Sequence, residues 1–273
     1  MRHYIVCLSA ILFAVLIGYN PAAAVDNVPD NPQTASISFG AEFASSGQGM
    51  GGMIRSIYMP LIFTWFPTER IDAGIELPII SQRGTNSSMH LYETQQNAAS
   101  NMFAQQGGGG GSISTNIGDI ILRFGMIAKF ETENLPQLRP SMYVKCPTAD
   151  KSDGTGTGEF DFGGGLEAMK WYGNLLLTAD AYYNYQGKAT GLGLTDYYSY
   201  SAGIGWQATN TLRPMLIVKG ATAPTSTSGD LLETRLRLLW AITPATSLDT
   251  YGSRGIADSS PDYGGGVAII HAF

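Results

Sequence analysis

Short segments in which apolar and polar side chains alternate strictly recur along this chain, and the connections between them are alternately short and long. Ala35, Ile37, Phe39, Ala41 and Phe43 alternate with Ser36, Ser38, Gly40 and Glu42. In 55–65 the residues Ile57, Met59, Leu61, Phe63 and Trp65 share one side, and in 71–79 the aliphatics Ile71, Ala73, Ile75, Leu77 and Ile79 oppose Asp72, Gly74, Glu76 and Pro78. A period of two is the signature of a β-strand whose two faces meet different surroundings. The same pattern returns in 119–130, 138–146, 159–169, 174–185, 197–206, 212–220, 230–240, 247–255 and 263–273, which makes twelve strands.

Composition decides what such strands build. Apolar residues make up 44% of the chain and charged residues only 14%, against roughly 25% charged in a soluble globular protein. Outside the N-terminus no run approaches the ~18 apolar residues of a membrane helix. A transmembrane β-barrel reconciles the two, because its apolar residues are spread one in two along short strands. A soluble β-sandwich also offers many short strands, but its outward faces meet water, and the polar faces here are too often Gly, Ala or Tyr. The expected fold is therefore all-β, a transmembrane antiparallel up-and-down barrel of about 12 strands, with both ends on the side of the short turns. Trp65, Trp171, Trp206 and Trp240, with Phe66, Phe130 and Tyr172, fall beside those turns, where an aromatic girdle is expected. The net charge of −6 opposes nucleic-acid binding.

Residues 1–24 read as a signal peptide: Arg2 and His3, an apolar stretch over 4–17, then Ala22, Ala23 and Ala24 as an A-x-A cleavage site. The barrel is expected over 25–273. Cleavage would remove Cys7 and leave Cys146 as a lone thiol, expected to face lipid, with no intrachain disulfide. The longest connection, 81–116, contains the five-glycine run Gly107 to Gly111. It is expected to lack regular structure, with a lumen plug as the alternative and a short helix within 89–106. Residues 44–54 are expected as a Gly-rich loop.

Barrels of this size can be enzymes, which need a Ser and His pair or an Asp and His pair. His90 lies in the long connection and His271 two positions before the last residue, neither beside such partners. The two histidines of 25–273 make no metal cluster, and Gly107 to Gly111 lacks the Lys and Ser or Thr of a phosphate loop. No catalytic residue, metal or cofactor is expected. What remains are polar-face charges as candidate pore-lining residues: Glu42, Asp72, Glu76, Arg123, Lys129, Arg139, Lys145, Asp161, Glu167, Asp180, Arg235, Arg237 and Asp249. They could bias which solutes pass, or simply pair and hold the wall together. In an antiparallel hairpin, facing residues have a constant position sum. On that basis five pairs are expected on adjacent strands: Lys145 with Asp161, Arg139 with Glu167, Asp72 with Lys129, Glu76 with Arg123, and Arg237 with Asp249.

Two segments carry a family resemblance. Lys145, Cys146, Pro147, Thr148, Ala149 and Asp150, then Gly154, Thr155, Gly156, Thr157, Gly158 and Phe160, Asp161, Phe162, Gly163, resemble an element of the outer-membrane family labelled as meta-pathway phenol degradation proteins. Gly118, Asp119, Ile120 and Ser259, Ser260, Pro261, Asp262, Tyr263 are similar to it as well. Cys146 stands for an aliphatic, Ala149 for a glycine and His271 for a tyrosine. The terminal strand ending in Phe273 resembles the closing strand of outer-membrane barrels, which implies insertion by the barrel-insertion machinery. The resemblance implies a porin-like transporter of small, aromatic or hydrophobic molecules in the outer membrane of a Gram-negative bacterium, in contact with its lipid. A structural or adhesive surface barrel with a closed lumen is the alternative.

Overall fold

The computed structural model describes residues 33–48, 52–83, 89–93, 100–104, 113–150 and 155–273. Every regular element among them is a strand: β1 (Ala35–Gln48), β2 (Gly52–Thr68), β3 (Ile71–Arg83), β4 (Met89–Glu93), β5 (Ser100–Ala104), β6 (Ile113–Ile117), β7 (Ile120–Met126), β8 (Gln137–Cys146), β9 (Asp161–Tyr172), β10 (Leu175–Tyr185), β11 (Tyr197–Trp206), β12 (Leu212–Ala221), β13 (Leu231–Ala241), β14 (Thr246–Gly255) and β15 (Tyr263–Ala272). Among the described residues no helix is long and apolar enough to cross a membrane, which leaves crossing by strands untouched. From β7 to β15 each strand pairs with the next, β15 pairs with β1, β1 with β2 and β2 with β3, and β3 pairs with β7. All pairings are antiparallel and the sheet closes on itself. Both β6 and β7 lie against β3, β6 beside residues 79–83 and β7 beside 71–76. They are two parts of one strand interrupted at Gly118 and Asp119, so the closed barrel has twelve strands. Closure gives each of the twelve barrel strands a neighbour on both sides.

Outward side chains are apolar and exposed, among them Phe39, Phe63, Leu166, Ile204, Leu216, Leu236, Val267 and Ile269. Water would not tolerate that continuous surface. Aromatics mark its two margins. Tyr172, Trp206, Trp240 and Phe273 are exposed at the short-turn end, and Phe43, Phe162, Tyr183, Tyr198 and Tyr263 toward the other. Along β11, Trp206 and Tyr198 are separated by roughly 20 Å of barrel height at about 3.3 Å per residue and a tilt near 40°, of the order of a bilayer's apolar band.

Several boundaries differ from those expected. The segment 44–54 is mostly strand, because β1 and β2 remain paired up to Gln48 opposite Gly52. Register set by apolar pairs such as Phe39 opposite Leu61 propagates through Ser and Gly, since ladder hydrogen bonds need no side chain. β3 likewise runs on to Arg83 against β6. The described parts of 89–106 form the β4–β5 hairpin, Met89 opposite Ala104 and Glu93 opposite Ser100, and not a helix. The five-glycine run and the expected signal peptide lie outside the described residues. β7 ends at Met126, earlier than Phe130, and Lys129 keeps only an isolated bridge to Leu138.

Candidate functional site

The barrel's inner face is set by parity: even positions on β1, β2, β3, β10 and β15, odd positions on β7, β8, β9 and β11 to β14. Glu42, Glu76, Arg123, Arg139, Lys145, Asp161, Asp180, Arg235 and Asp249 are all buried on it. Four of the five expected pairs meet. Lys145 faces Asp161 in register, with Nζ 2.8 Å from Oδ2, and Arg139 faces Glu167, with Nη1 2.5 Å from Oε1. Glu76 and Arg123 meet diagonally at 2.5 Å. Arg237 reaches Asp249 at 2.5 Å, also diagonally, because the register places Tyr251 opposite Arg237. The fifth pair fails: Lys129 lies exposed beyond the end of β7, and Arg139 takes Asp72 instead, Nη2 to Oδ2 at 2.6 Å.

Tyrosines extend these pairs into a chain around the wall. Arg235 binds Glu233 and lies 4.5 Å from the centre of the Tyr251 ring, and the Tyr251 hydroxyl donates to Glu42 at 2.7 Å. Glu42 is in register with Tyr58, whose hydroxyl donates to Glu76. Beyond Glu76 and Arg123, Tyr143 donates to Asn184 at 2.9 Å and Asn184 to Ser199 at 3.0 Å. The Tyr182 hydroxyl donates to Glu167 and is hydrogen-bonded to Ser141, and Ser201 donates to Asp180. Charged and hydroxyl groups removed from water in this way hold their places only because each finds partners. Tyr58, Tyr182, Tyr251, Glu233 and Lys219 were not singled out from the sequence. Their parity with the neighbouring charges was the available signal, hidden at the tyrosines because tyrosine reads as apolar.

At the end of the long connections the motif residues converge on Asp119. Lys145 Nζ stands 3.1 Å from Asp119 and 3.0 Å from the Thr157 hydroxyl, and the Ala149 amide donates to Asp119 at 3.0 Å. The Ile120 amide donates to Thr148 at 2.9 Å, Thr155 to the Ile117 carbonyl at 3.1 Å, and the Gly187 amide to Asp161 at 2.9 Å. A Cβ on Gly156 would stand 2.7 Å from Ala149 Cβ, so a side chain there would separate the two. The lysine, the two aspartates and the Gly-Thr run thus fasten the 147–160 connection onto the strand ends. Outside the strands, Lys188 binds Asp196 and holds its carboxyl below the usual range, helped by the Tyr183 hydroxyl and against partial burial. Cys146 is buried and disulfide-bonded, although its even position lies on the outer side of β8.

The inner face is not polar throughout. Leu176, Met215 and Ile217 form a buried cluster on β10 and β12, with Met169, Trp171 and Leu239 packed against it. Trp171, expected in the girdle, points inward, where the Arg213 guanidinium lies 4.6 Å from its ring centre and donates to Gln207 at 2.7 Å. Among the described residues no group of three or more metal-ligating side chains occurs.

No protein-family model matches the sequence, and no curated protein matches it. Solved structures do. The chain is similar to the COG4313 outer membrane channel from Pseudomonas putida F1, with a TM-score of 0.66 at 11% identity over 92% of this chain and 100% of that one. It is similar to the KdgM porin, with a TM-score of 0.55 at 8% identity over 87% and 99% of the two chains. The translocator domain of autotransporter NalP from Neisseria meningitidis gives a TM-score of 0.52 at 12% identity over 100% and 97%. At such identities the likeness is one of fold, and the fold is that of bacterial outer-membrane β-barrels.

Proposed function

We propose that this protein is an outer-membrane passive channel or transporter for small molecules, matured by removal of residues 1–24 and inserted through its Phe273 strand. The observation that carries this reading is the two-part inner face: a ring of buried, mutually bonded charges and tyrosines, and beside it the apolar cluster around Leu176, Met215 and Trp171. Such a lining offers hydrogen bonds and apolar contact to the same solute, which suits small molecules with an aromatic or hydrophobic part. The resemblance to meta-pathway phenol degradation proteins supports that class. The residues assigned to the lining are Glu42, Asp72, Glu76, Arg123, Arg139, Lys145, Asp161, Glu167, Asp180, Arg235, Arg237 and Asp249, without Lys129.

A second reading, a structural or adhesive barrel with a closed lumen, is favoured by the same ion pairs, since they tie neighbouring strands together. Two experiments separate them. The protein should fractionate with the outer membrane and migrate differently on gels before and after boiling. Reconstituted in liposomes or planar bilayers, it should pass small neutral solutes and a measurable current. Deleting residues 95–111 should raise the flux if that connection enters the lumen. Absence of flux from both the full-length and the deleted protein would leave the structural reading in possession.

A further inference from the structure

Gly125, Gly163, Gly165 and Gly266 lie inside strands or at their inner-face positions, where glycine weakens a sheet by packing nothing. Backbone conformation does not demand them: among the described residues the positive-φ glycines are Gly158, Gly173, Gly191 and Gly193. The missing Cβ does explain them. A Cβ at Gly163 would lie 2.0 Å from Tyr143 Cε1, one at Gly266 2.5 Å from Tyr251 Cε1, one at Gly165 2.3 Å from the Ala181 carbonyl oxygen and 2.5 Å from Tyr182 Cδ1, and one at Gly125 1.9 Å from Arg139 Nη2.

Gly163, Gly165 and Gly266 each stand in register between two groups that bond over them, and over Gly125 the bond runs diagonally. Tyr143 on β8, Gly163 on β9 and Asn184 on β10 form one row, and Tyr143 donates to Asn184 at 2.9 Å. Tyr251 on β14, Gly266 on β15 and Glu42 on β1 form another, and Tyr251 donates to Glu42 at 2.7 Å. Ser141, Gly165 and Tyr182 repeat the arrangement, with the two hydroxyls hydrogen-bonded. Arg139 crosses above Gly125 to reach Asp72, the register partner of that glycine. Partners two strands apart are separated by roughly 10 Å of backbone. A tyrosine or arginine closes that gap only by lying along the wall, and it can lie there only where the intervening residue has no side chain.

We propose that these glycines set the width of the lumen, by providing recesses in which Tyr143, Tyr182, Tyr251 and Arg139 lie flat and bonded where they would otherwise project toward the barrel axis. The proposal rests on the channel reading and adds the positions that determine the size of solute admitted. The test compares Gly163→Ala and Gly266→Ala with Gly164→Ala, whose added Cβ would face outward with its nearest neighbour, the Ser141 carbonyl oxygen, at 3.8 Å. In planar bilayers each inward variant should lower single-channel conductance by about twofold or more, and Gly164→Ala should not. Combining Gly163→Ala with Tyr143→Ser, or Gly266→Ala with Tyr251→Ser, should return conductance to the wild-type level or above. Unchanged conductance in well-assembled inward variants overturns the proposal. If a single variant fails to assemble while its double variant assembles, the ring contact is the cause and the proposal stands; failure of the doubles as well overturns it. A wild-type protein that passes no current defeats the channel reading instead. The recesses are then judged from thermal unfolding: each Gly→Ala should lower the midpoint only while its tyrosine is present, and equal lowering in both backgrounds overturns them.

Discussion

Lys145 shows how much one side chain can organise. It bonds Asp119, Asp161 and the Thr157 hydroxyl, and its side chain is 5% exposed. Removing one partner of such a set strands the others as uncompensated buried charges, which costs more than the pair itself contributed. Lys145→Met is therefore expected to destabilise the barrel by about 3 kcal/mol, read as a lowered urea midpoint in reconstituted protein. Lys188 is the contrast: its side chain is 51% exposed and it pairs with Asp196 outside the strands, so Lys188→Ala should leave the midpoint essentially unchanged. Equal effects of the two substitutions would mean that water reaches Lys145 freely. The hairpin sum that predicted Lys145 opposite Asp161 did not reach Asp119, because that residue belongs to the break between β6 and β7 and not to a hairpin with Lys145.

Strand by strand, alternation assigns faces reliably only where the strand persists. On β7 it holds through Arg123 and Gly125 and is lost by Lys129, three residues beyond the end of the strand. The tryptophans illustrate the same limit. Trp206 and Trp240 are exposed on the outer face, whereas Trp171 shares the odd parity of Asp161 and Glu167 on β9 and turns inward against Arg213. Proximity to a short turn suggested the girdle for all of them, but parity decides the side. In variants keeping one tryptophan, brominated lipid should quench Trp206 and Trp240 fluorescence strongly and Trp171 weakly. Strong quenching of Trp171 would reverse the face assignment of β9.

For the molecule as a whole, closure joins residues from opposite ends of the chain. Glu42 of β1 accepts from Tyr251 of β14, and Phe39 lies beside Ile269. Maturation bears on the same architecture. Cleavage after Ala24 would leave residues 25–273 as the mature chain. We expect protein purified from the outer membrane to begin near Val25, as N-terminal sequencing would show. A start at Met1 would mean that residues 1–24 are retained.

The sequence by itself determined the strand number, the antiparallel order, the two faces of most strands and the charged pairs within hairpins. All of these follow from a period of two and from local turns, which act between residues close along the chain. Only the tertiary structure decided the rest. It carried β1 and β2 through a Ser- and Gly-rich stretch, gave Asp72 to Arg139 and not to Lys129, and brought Asp119 to Lys145. It also placed Tyr143 and Tyr251 over glycines of the strands beside them. These contacts depend on which strands become neighbours once the sheet has closed, and on the space a missing Cβ leaves between them. Neither is encoded in the alternation of any single segment.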